Sequence, residues 1–272
     1  MSIDLATIKL CEKSAELNQA DNLLPTIHDT LAVASRICRR YFRQPVPVDI
    51  KDDASPVTLA DREAERAIRD LLAERFPDHG IYGEEQGHQP GSGGTWIIDP
   101  IDGTKSFLLG NPLFGCLVGY VENGKVRAGG LTMPALDEFW IAADGLPTEM
   151  NGKPVKTRHC TNLANASLLT SSPDFFEAGE LARFDEISKQ VQFRRFGGDC
   201  YTYAMLAGGW CDLVIESSLY PFDILPLVPI VEQAGGVISD WQGNPLTLDS
   251  GPQVVAAAST ALHAAAIDIL NS

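Results

Sequence analysis

The chain has 272 residues, of which 44% are hydrophobic and 21% are charged, a balance typical of a globular protein with a sizeable core, which excludes disorder, collagen and a coiled coil. Its 36 acidic and 21 basic residues give a net charge of −15, and no block of Lys or Arg stands out, so we expect no nucleic-acid partner and no membrane partner. No run reaches the roughly 18 apolar residues of a membrane span and the start lacks a signal-peptide pattern, which predicts a cytoplasmic protein. The 6 cysteines form no C-x-x-C pair, so we expect reduced, buried thiols.

Helical spacing dominates the first part of the chain. Residues 1–44 are predicted to be largely helical. From Thr58 to Phe76 the apolar residues recur at the spacing of an amphipathic helix. Thr58 and Asp61 stand three residues apart at its start, as in a capping box.

Short apolar runs follow Gly80. Residues 96–98 and 117–121 are predicted to be strands because glycine, proline or turn residues bound them. Asn123-Gly124 follows the second run, and this dipeptide supplies the two positive φ values that a type I′ turn requires. An antiparallel hairpin is therefore expected here.

The second half of the chain mixes strands and helices, which indicates a layered α/β fold. The pattern predicts strands at 168–170 and 211–216, and helices at 201–207 and 224–234. Pro229 would lie inside the last helix, where proline costs roughly 3 kcal/mol, so we expect a kink between Leu225 and Pro229.

Linkers and internal repeats are the sequence features that would indicate separate domains. No linker rich in Ser, Gly or Pro and no internal repeat divides the chain. We therefore predict that residues 1–272 form one unit with two intimate halves, roughly 1–150 and 151–272.

Two acidic residues, Asp99 and Asp102, lie three apart just beyond a predicted strand. Pro100 restricts the backbone between them, so both carboxylates and the Ile101 carbonyl can converge on a hard cation. Gly103 lets backbone approach a ligand closely, and the N–H groups of a helix that starts there can bind phosphate. Magnesium fits this set because it prefers oxygen ligands and is commonly completed by a substrate phosphate.

Two further acidic residues stand at turns elsewhere. Glu84 follows a glycine, and Asp223 is at the predicted N-cap of the last helix. If they meet Asp99 and Asp102, the four carboxylates require divalent cations. That arrangement suits a phosphoesterase with two or three metal ions, in which Thr104 and a nearby acid orient the attacking water. The plainer alternative is that the D-x-x-D pair is a surface feature and Asp223 only a helix cap.

The ordered motifs resemble those of the inositol monophosphatase family, and the likeness runs from about Lys51 to Asp240. The segments that carry it are Gly83-Glu84-Glu85, Asp99-Pro100-Ile101-Asp102-Gly103-Thr104, and Asp223 with Glu232-Gln233-Ala234-Gly235-Gly236. One residue departs from the pattern, since many members have tryptophan where this chain has Phe222. The resemblance implies an α/β fold, a layered αβαβα sandwich that is usually a homodimer. It also implies magnesium-dependent, lithium-sensitive hydrolysis of phosphate monoesters by in-line attack of metal-activated water.

The resemblance assigns metal ligands. Glu84, Asp99 and the Ile101 carbonyl are expected to bind one Mg²⁺. Asp99, Asp102 and Asp223 are expected to bind a second, and a third ion is expected near Glu84.

It also assigns residues to the phosphate and to the water. Gly103 and Thr104 are expected to hold phosphate through backbone N–H groups. The Thr104 hydroxyl, paired with Asp61, is expected to help activate water, and Glu84 completes the predicted catalytic set.

Residues 102–107, 110–115 and 197–204 look like the histidinol-phosphate phosphatase branch of the family, which serves histidine biosynthesis. Histidinol phosphate carries an ammonium group and a partly protonated imidazole, which Asp199, Glu216 and aromatic side chains can complement. Glu216 also resembles a position that contacts a sugar-like hydroxyl in inositol phosphatases. Histidinol phosphate is therefore the predicted substrate, with inositol 1-phosphate or a broader range of sugar and nucleotide phosphates as alternatives.

Other phosphatase classes leave marks that this sequence lacks. No cysteine is followed by the C-x5-R pattern, no R-H-G motif is present, and the segment from Asp99 to Thr104 contains no D-x-D. A non-catalytic binding module of the same fold would be expected to lack a ligand, and every expected ligand position is filled.

Overall fold

The computed structural model describes residues 5–50 and 56–272, and side chains within them from Leu23 onward. Three details of the sequence predictions lie outside these limits: residues 1–4 of the N-terminal helix, the Cys11 thiol, and Lys51 at the start of the family resemblance.

The helices predicted within 1–44, at 58–76 and at 201–207 are present with similar limits, whereas the helices at 178–188 and 260–270 were not predicted. Eight α-helices lie in the described part of the chain. They are α1 Leu5–Tyr41, α2 Leu59–Arg75, α3 Thr104–Leu108, α4 Ala178–Ser188, α5 Tyr201–Ala207, α6 Pro221–Ile224, α7 Leu227–Gln233 and α8 Thr260–Leu270. The strands are β1 Val48–Ile50, β2 Pro56–Thr58, β3 Gly80–Gly83, β4 Gly87–Gln89, β5 Thr95–Asp102, β6 Gly115–Glu122, β7 Lys125–Met133, β8 Glu138–Ala143, β9 Glu149–Met150, β10 Lys153–Pro154, β11 Ser167–Thr170, β12 Phe193–Phe196, β13 Leu213–Glu216, β14 Val237–Ser239 and β15 Val254–Ala257.

Helix α2 has the predicted cap. The Thr58 side chain accepts the N–H groups of Ala60 and Asp61, and the Asp61 carboxylate accepts the N–H of Thr58. These bonds satisfy donors that have no partner inside the helix. Its apolar face, which includes Ile68 and Leu72, is buried.

An eight-stranded sheet follows the order β10-β9-β8-β7-β6-β5-β3-β4. The hairpin at Asn123-Gly124 is confirmed: φ is 51° and 72° at these residues, and Glu122 pairs with Lys125 across the turn. Most neighbours are antiparallel, but β3 and β5 are parallel. The pairing of β3 with β5 ends at Gly83 and Ile98, so Glu84 and Asp99 follow the last pair side by side.

A five-stranded sheet follows the order β12-β11-β13-β15-β14. β11 is parallel to both β12 and β13. Ser171 and Glu216 consequently lie together at the carboxyl ends of β11 and β13, and Ser167 and Asp212 lie together at the amino ends of these strands.

The elements stack in five layers. α1 and α2 cover one face of the eight-stranded sheet, while α6 and α7 pack on its other face. α5 and α7 also contact the five-stranded sheet, whose outer face is covered by α8 with α4 beside it. The predicted αβαβα sandwich is confirmed. The division into halves near residue 150 stays a prediction.

Two local expectations are corrected and one is confirmed. The strand predicted at 96–98 continues as β5 to Asp102, with a bulge between Asp99 and Asp102. The kink expected between Leu225 and Pro229 is confirmed, because the helix predicted at 224–234 is interrupted after Ile224 and continues as α7 from Leu227. Asp223 is the third residue of α6, and the N-cap is Tyr220.

Two further predictions concern the whole chain. The five cysteines whose side chains are described are free and buried, as expected: Cys38, Cys116, Cys160, Cys200 and Cys211. Among the described residues, none of the helices combines the length and the apolar character needed to cross a membrane.

Candidate active site

The parallel pair β3 and β5 brings the first two acidic residues together. Gly83 lies opposite Ile98, so Glu84 and Asp99 are neighbours just beyond the last pair of β3 with β5. The Glu84 N–H donates to the Ile98 carbonyl at 3.1 Å. Asp99 is only 1% exposed, whereas Glu84 lines a pocket.

The bulge in β5 explains how Asp99 and Asp102 share one site. In a regular strand, residues three apart point to opposite faces. The extra residue of a bulge cancels that alternation. Carboxylate oxygens of Asp99, Asp102 and Asp223 consequently lie within 4.8 Å of one another, and we call these three residues the acidic cluster.

Asp223 reaches the cluster from the first turn of α6. Its Oδ2 accepts the N–H of Tyr220 at 2.7 Å, which fixes the side chain at the helix start. Pro221 occupies the first helical position, where its missing N–H costs nothing.

The acidic cluster is electrostatically unfavourable by itself. Burial, followed by the charges of Glu84, Asp102 and Asp223, raises the pKa of Asp99 well above its usual range. Burial and the charges of Asp199 and Asp223 do the same to the pKa of Asp102, although the Cys200 N–H donates to its Oδ2 at 2.5 Å. Burial raises the pKa of Asp223 to about 7. Three such carboxylates need protons or bound cations.

The donor set fits a divalent cation. Among the described residues, nothing donates a hydrogen bond to the buried Oδ1 of Asp99. Carboxylate and carbonyl oxygens are the ligands that magnesium prefers. The Ile101 carbonyl accepts the Thr104 hydroxyl at 3.0 Å and retains a second lone pair. Glu84 is not one of the three clustered carboxylates, but it lies near enough for its charge to raise the pKa of Asp99.

Asp61 and Thr104 meet as predicted. The Thr104 hydroxyl lies 3.4 Å from Oδ1 of Asp61, and its single proton is shared between that oxygen and the Ile101 carbonyl at 3.0 Å. Asp61 is completely buried, and this burial raises its pKa to about 6, against the hydrogen bonds from Thr58. Thr104 lines the pocket and Asp61 lies behind it.

Gly103 and Asp199 face each other at the start of α3. Gly103 has a φ of 81°, and a Cβ there would lie 2.7 Å from Oδ2 of Asp199. Both the backbone conformation and the close approach require glycine. Asp199 accepts the Ser106 hydroxyl at 3.1 Å. Burial raises the pKa of Asp199, while Ser106 and the charge of Lys105 oppose that shift.

Glu216 is buried at the end of β13 and has three hydrogen bonds. It accepts the N–H of Ser171 at 2.8 Å, the Ser171 hydroxyl, and the Tyr203 hydroxyl at 2.8 Å. Burial raises its pKa and these bonds oppose the rise. The sequence analysis missed Ser171 and Tyr203. The position of Ser171 just after a buried strand was the available signal.

One cavity of about 660 Å³ connects these groups. It is lined by Glu84, Asp102, Gly103, Thr104, Asp199, Glu216 and Asp223 among the predicted site residues. Asp61, Asp99 and Ile101 are buried behind the lining. All predicted site residues are thus in one region.

An aromatic wall, made of Tyr82, Phe175, Tyr220 and Phe222, borders the same cavity. The Tyr220 and Phe222 rings stack at 5.3 Å between centroids, and Tyr82 meets Phe222 edge-on at 6.0 Å. These residues come from three separate segments, so sequence reasoning identified only Phe222, as the residue before Asp223.

Comparison with known proteins places the chain in one family. The sequence profile of the inositol monophosphatase family matches residues 19–272. The chain is 40% identical over 263 residues to the bifunctional phosphatase IMPL2, chloroplastic, of Arabidopsis thaliana. The aligned region covers 95% of this chain and 76% of that protein. It is 36% identical over 219 residues to a histidinol-phosphatase of Chlorobaculum parvum, covering 79% of this chain and 85% of that one.

Solved structures agree with the sequence relatives. An inositol monophosphatase from Zymomonas mobilis superposes with a TM-score of 0.85 at 40% identity, over 93% of this chain and 98% of that one. Members of this family are metal-dependent phosphatases that act on phosphate esters. The chain belongs to the inositol monophosphatase family and is a phosphate monoester hydrolase.

Proposed function

We propose that this enzyme is a magnesium-dependent histidinol-phosphatase of histidine biosynthesis. The observation that carries the proposal is the surface facing the acidic cluster, where Asp199 and Glu216 lie with the aromatic wall around one cavity. A leaving group with a cationic amine and an aromatic ring matches such a surface. Named histidinol-phosphatases among the relatives support the same choice.

The charge of the cavity favours a cationic substrate. Its lining contains five acidic residues, Glu84, Asp102, Asp199, Glu216 and Asp223, and one basic residue, Lys105. Metal ions bound to Glu84, Asp102 and Asp223 would leave Asp199 and Glu216 to pair with an ammonium group. The imidazole ring of the substrate stacks on the aromatic wall, where a cation is attracted to the ring faces.

Inositol 1-phosphate is the alternative that a specific contact favours. Ser171 and Tyr203 place hydroxyl groups next to Glu216, and such a network can bind the hydroxyls of a sugar-like ring. Relatives named as inositol-1-monophosphatase and as fructose-1,6-bisphosphatase support this alternative and a broader range of sugar or nucleotide phosphates.

The ligands proposed for two or three Mg²⁺ ions are Glu84, Asp99, Asp102, Asp223 and the Ile101 carbonyl. Bound magnesium supplies charge to stabilise the phosphate and lowers the pKa of a water molecule. Glu84 directly follows β3, Asp99 lies within β5, and Asp223 lies in the first turn of α6. Rigid elements therefore hold the ligand set.

The residues around the cluster act on the phosphate and the water. The N–H groups of Gly103 and Thr104, at the start of α3 where helices leave donors unpaired, bind the phosphate oxygens. The Thr104 hydroxyl accepts a hydrogen bond from the attacking water and donates its own proton toward Asp61. Asp61 thereby orients the water for in-line attack.

The test is phosphate release from a panel, measured with magnesium and with excess EDTA. The panel contains histidinol phosphate, inositol 1-phosphate, fructose 1,6-bisphosphate and adenosine 3′,5′-bisphosphate. We expect magnesium-dependent turnover with the highest kcat/KM for histidinol phosphate. A preference for inositol 1-phosphate would overturn the substrate choice, and no turnover of any compound would favour a non-catalytic binding module.

Two further predictions accompany this proposal, a cytoplasmic location from the sequence pattern and a homodimer from the family resemblance. A cytoplasmic location is tested by cell fractionation. A homodimer is tested by size-exclusion chromatography with light scattering, in which a monomeric mass would contradict it.

A further inference from the structure

A buried carboxylate on α2 binds the backbone of the loop that carries Glu84. Glu65 is completely buried. Its Oε2 accepts the N–H of Glu85 at 2.7 Å, and its Oε1 accepts the N–H of Gln86 at 3.1 Å. One side chain therefore holds the two residues that follow Glu84.

Arg69 completes this contact from the next turn of α2. Its Nε donates to Oε1 of Glu65 at 2.7 Å, and its other guanidinium nitrogen donates to the Gly87 carbonyl at 2.6 Å. The Glu65–Arg69 pair thus binds the loop at residues 85, 86 and 87. We call it the loop clamp.

The glycine before Glu84 makes room for the loop clamp. A Cβ at Gly83 would lie 2.6 Å from Cδ of Glu65 and 2.8 Å from the Arg69 guanidinium. These distances are too short for any side chain. The Glu65 carboxylate can therefore lie directly against the backbone of Gly83, because that residue has no Cβ.

Stability alone is a poor reason for such a pair. Removing two charges from water is costly, and apolar residues of similar volume often stabilise a protein as well or better. A carboxylate that accepts two specific N–H groups fixes one loop conformation. The pair therefore contributes a defined loop conformation and not additional stability.

The position on α2 links the loop clamp to the rest of the site. Asp61 and Glu65 are four residues apart, so they share one face of the helix. Asp61 contacts Thr104, and Glu65 holds the loop of Glu84. One rigid helix thereby supports both sides of the acidic cluster.

We propose that Glu65 and Arg69 are positioning residues that fix the Glu84 carboxylate against Asp99 for metal binding. This inference rests on the proposed role of Glu84 as a metal ligand. Glu65→Gln keeps the size of the side chain but replaces one carboxylate oxygen with an amide nitrogen, which donates. Either the Glu85 N–H, or both the Gln86 N–H and the Arg69 guanidinium, therefore lose their acceptor. Arg69→Lys keeps the charge and loses the fork that joins Glu65 to Gly87.

The experiment measures Mg²⁺ binding to the full chain by isothermal titration calorimetry and by the Mg²⁺-dependent rise in Tm, beside kcat and KM. The matched control is Asp212→Asn, which breaks the ion pair between the buried Asp212 carboxylate and the half-exposed Arg158, at the end of β13 opposite Glu216. We expect Glu65→Gln to weaken Mg²⁺ binding about 10-fold to 100-fold, the range typical for residues that orient metal ligands. Arg69→Lys is expected to weaken it less, and Asp212→Asn to lower Tm without changing Mg²⁺ affinity.

The outcomes separate the loop clamp from the proposed function. Glu84→Gln is measured in parallel: if it also leaves Mg²⁺ affinity unchanged, the proposed ligand role of Glu84 fails. If Glu84→Gln weakens binding but Glu65→Gln and Arg69→Lys do not, the positioning role alone is wrong. If Glu65→Gln does not fold, an unchanged Mg²⁺ affinity in Arg69→Lys overturns the proposal. An equal loss of affinity in Asp212→Asn also overturns it, since it would mean that general destabilisation causes the effect.

Discussion

The Thr104 hydroxyl lies 3.4 Å from Oδ1 of Asp61 and connects the start of α3 to the buried face of α2. Asp61 is completely buried, whereas Thr104 lines the cavity. The Thr104 hydroxyl can thus link Asp61, through hydrogen bonds, to a water molecule in the cavity. Burial has raised the pKa of Asp61 to about 6, so it can accept a proton near neutral pH.

The first prediction removes this hydroxyl. Thr104→Ala should lower kcat by roughly 100-fold or more, the contribution usual for proton transfer by a positioned group. KM and the Mg²⁺ dependence should change little, because the variant leaves the acidic cluster intact. Thr104→Ser keeps the hydroxyl and should retain most of the activity. Steady-state kinetics on all three proteins decides this, and a Ser variant as slow as the Ala variant would contradict the assignment.

The second prediction separates activity from stability at the acidic cluster. Asp102→Asn should lower activity by more than about 100-fold, beyond the loss typical for groups that merely orient a metal ligand. In EDTA, however, the variant should be more stable by about 1 kcal/mol or more, because one of several buried like charges is gone. The Asn oxygen can still accept the Cys200 N–H that Asp102 accepts at 2.5 Å.

Asp49→Asn is the control for that variant, since Asp49 is an exposed acid paired with Arg62. It should change neither quantity measurably. Denaturant unfolding in EDTA and phosphate release at saturating Mg²⁺ provide the two measurements. Full activity of Asp102→Asn would exclude Asp102 from the metal site.

The third prediction tests Asp199 as a substrate contact. Asp199→Asn keeps the shape of the side chain and its acceptor for Ser106, but removes the negative charge. KM for histidinol phosphate should rise roughly 10-fold or more, as expected when a hydrogen bond to a charged group is weakened. KM for the uncharged ring of inositol 1-phosphate should change much less. Equal changes for both substrates would remove Asp199 from substrate recognition.

The sequence predicted those parts of the fold that depend on neighbours in the chain. The Thr58 cap of α2 and the turn at Asn123-Gly124 depend on two to four adjacent residues, whose preferred conformations are strong. The bulge between Asp99 and Asp102 could not be predicted, because it depends on the register with β6. Without it, a strand would place the two carboxylates on opposite faces.

The site followed the same rule. The D-P-I-D-G-T segment and the family resemblance identified the acidic residues, which the fold brings together. The aromatic wall and the contact of Ser171 with Glu216 join segments far apart in sequence. Glu65 and Arg69 were equally hidden, since i and i+4 charges on a helix are ordinarily exposed pairs. Only the packing of α2 against the Glu84 loop distinguishes them.

The fourth prediction concerns stability at the amino ends of β11 and β13, where Asp212 lies. Asp212 is completely buried and accepts two hydrogen bonds from Arg158 at 2.5 Å, one from the Ser167 N–H at 2.7 Å and one from its hydroxyl at 2.8 Å. Burial alone would raise the pKa of Asp212, but the bonds from Arg158 and Ser167 outweigh it and hold the pKa below its usual 3.8. The stabilisation is therefore complete above the pKa of the unfolded chain and is lost as pH falls through the lower pKa of the folded chain.

Asp212→Asn should accordingly cost roughly 1.5 to 3 kcal/mol at pH 7, the range for hydrogen bonds to a charged group, because much of Arg158 stays in water and is not left as a buried unpaired charge. The difference from the unchanged protein should shrink as pH falls below 3.8, since the protonated carboxyl then resembles the amide. Denaturant unfolding between pH 7 and pH 3 measures it. Asp185→Asn, at an exposed pair with Arg194, should cost less than about 1 kcal/mol at every pH. A cost of Asp212→Asn that stays constant with pH would show that lost packing, rather than the charge, causes the destabilisation.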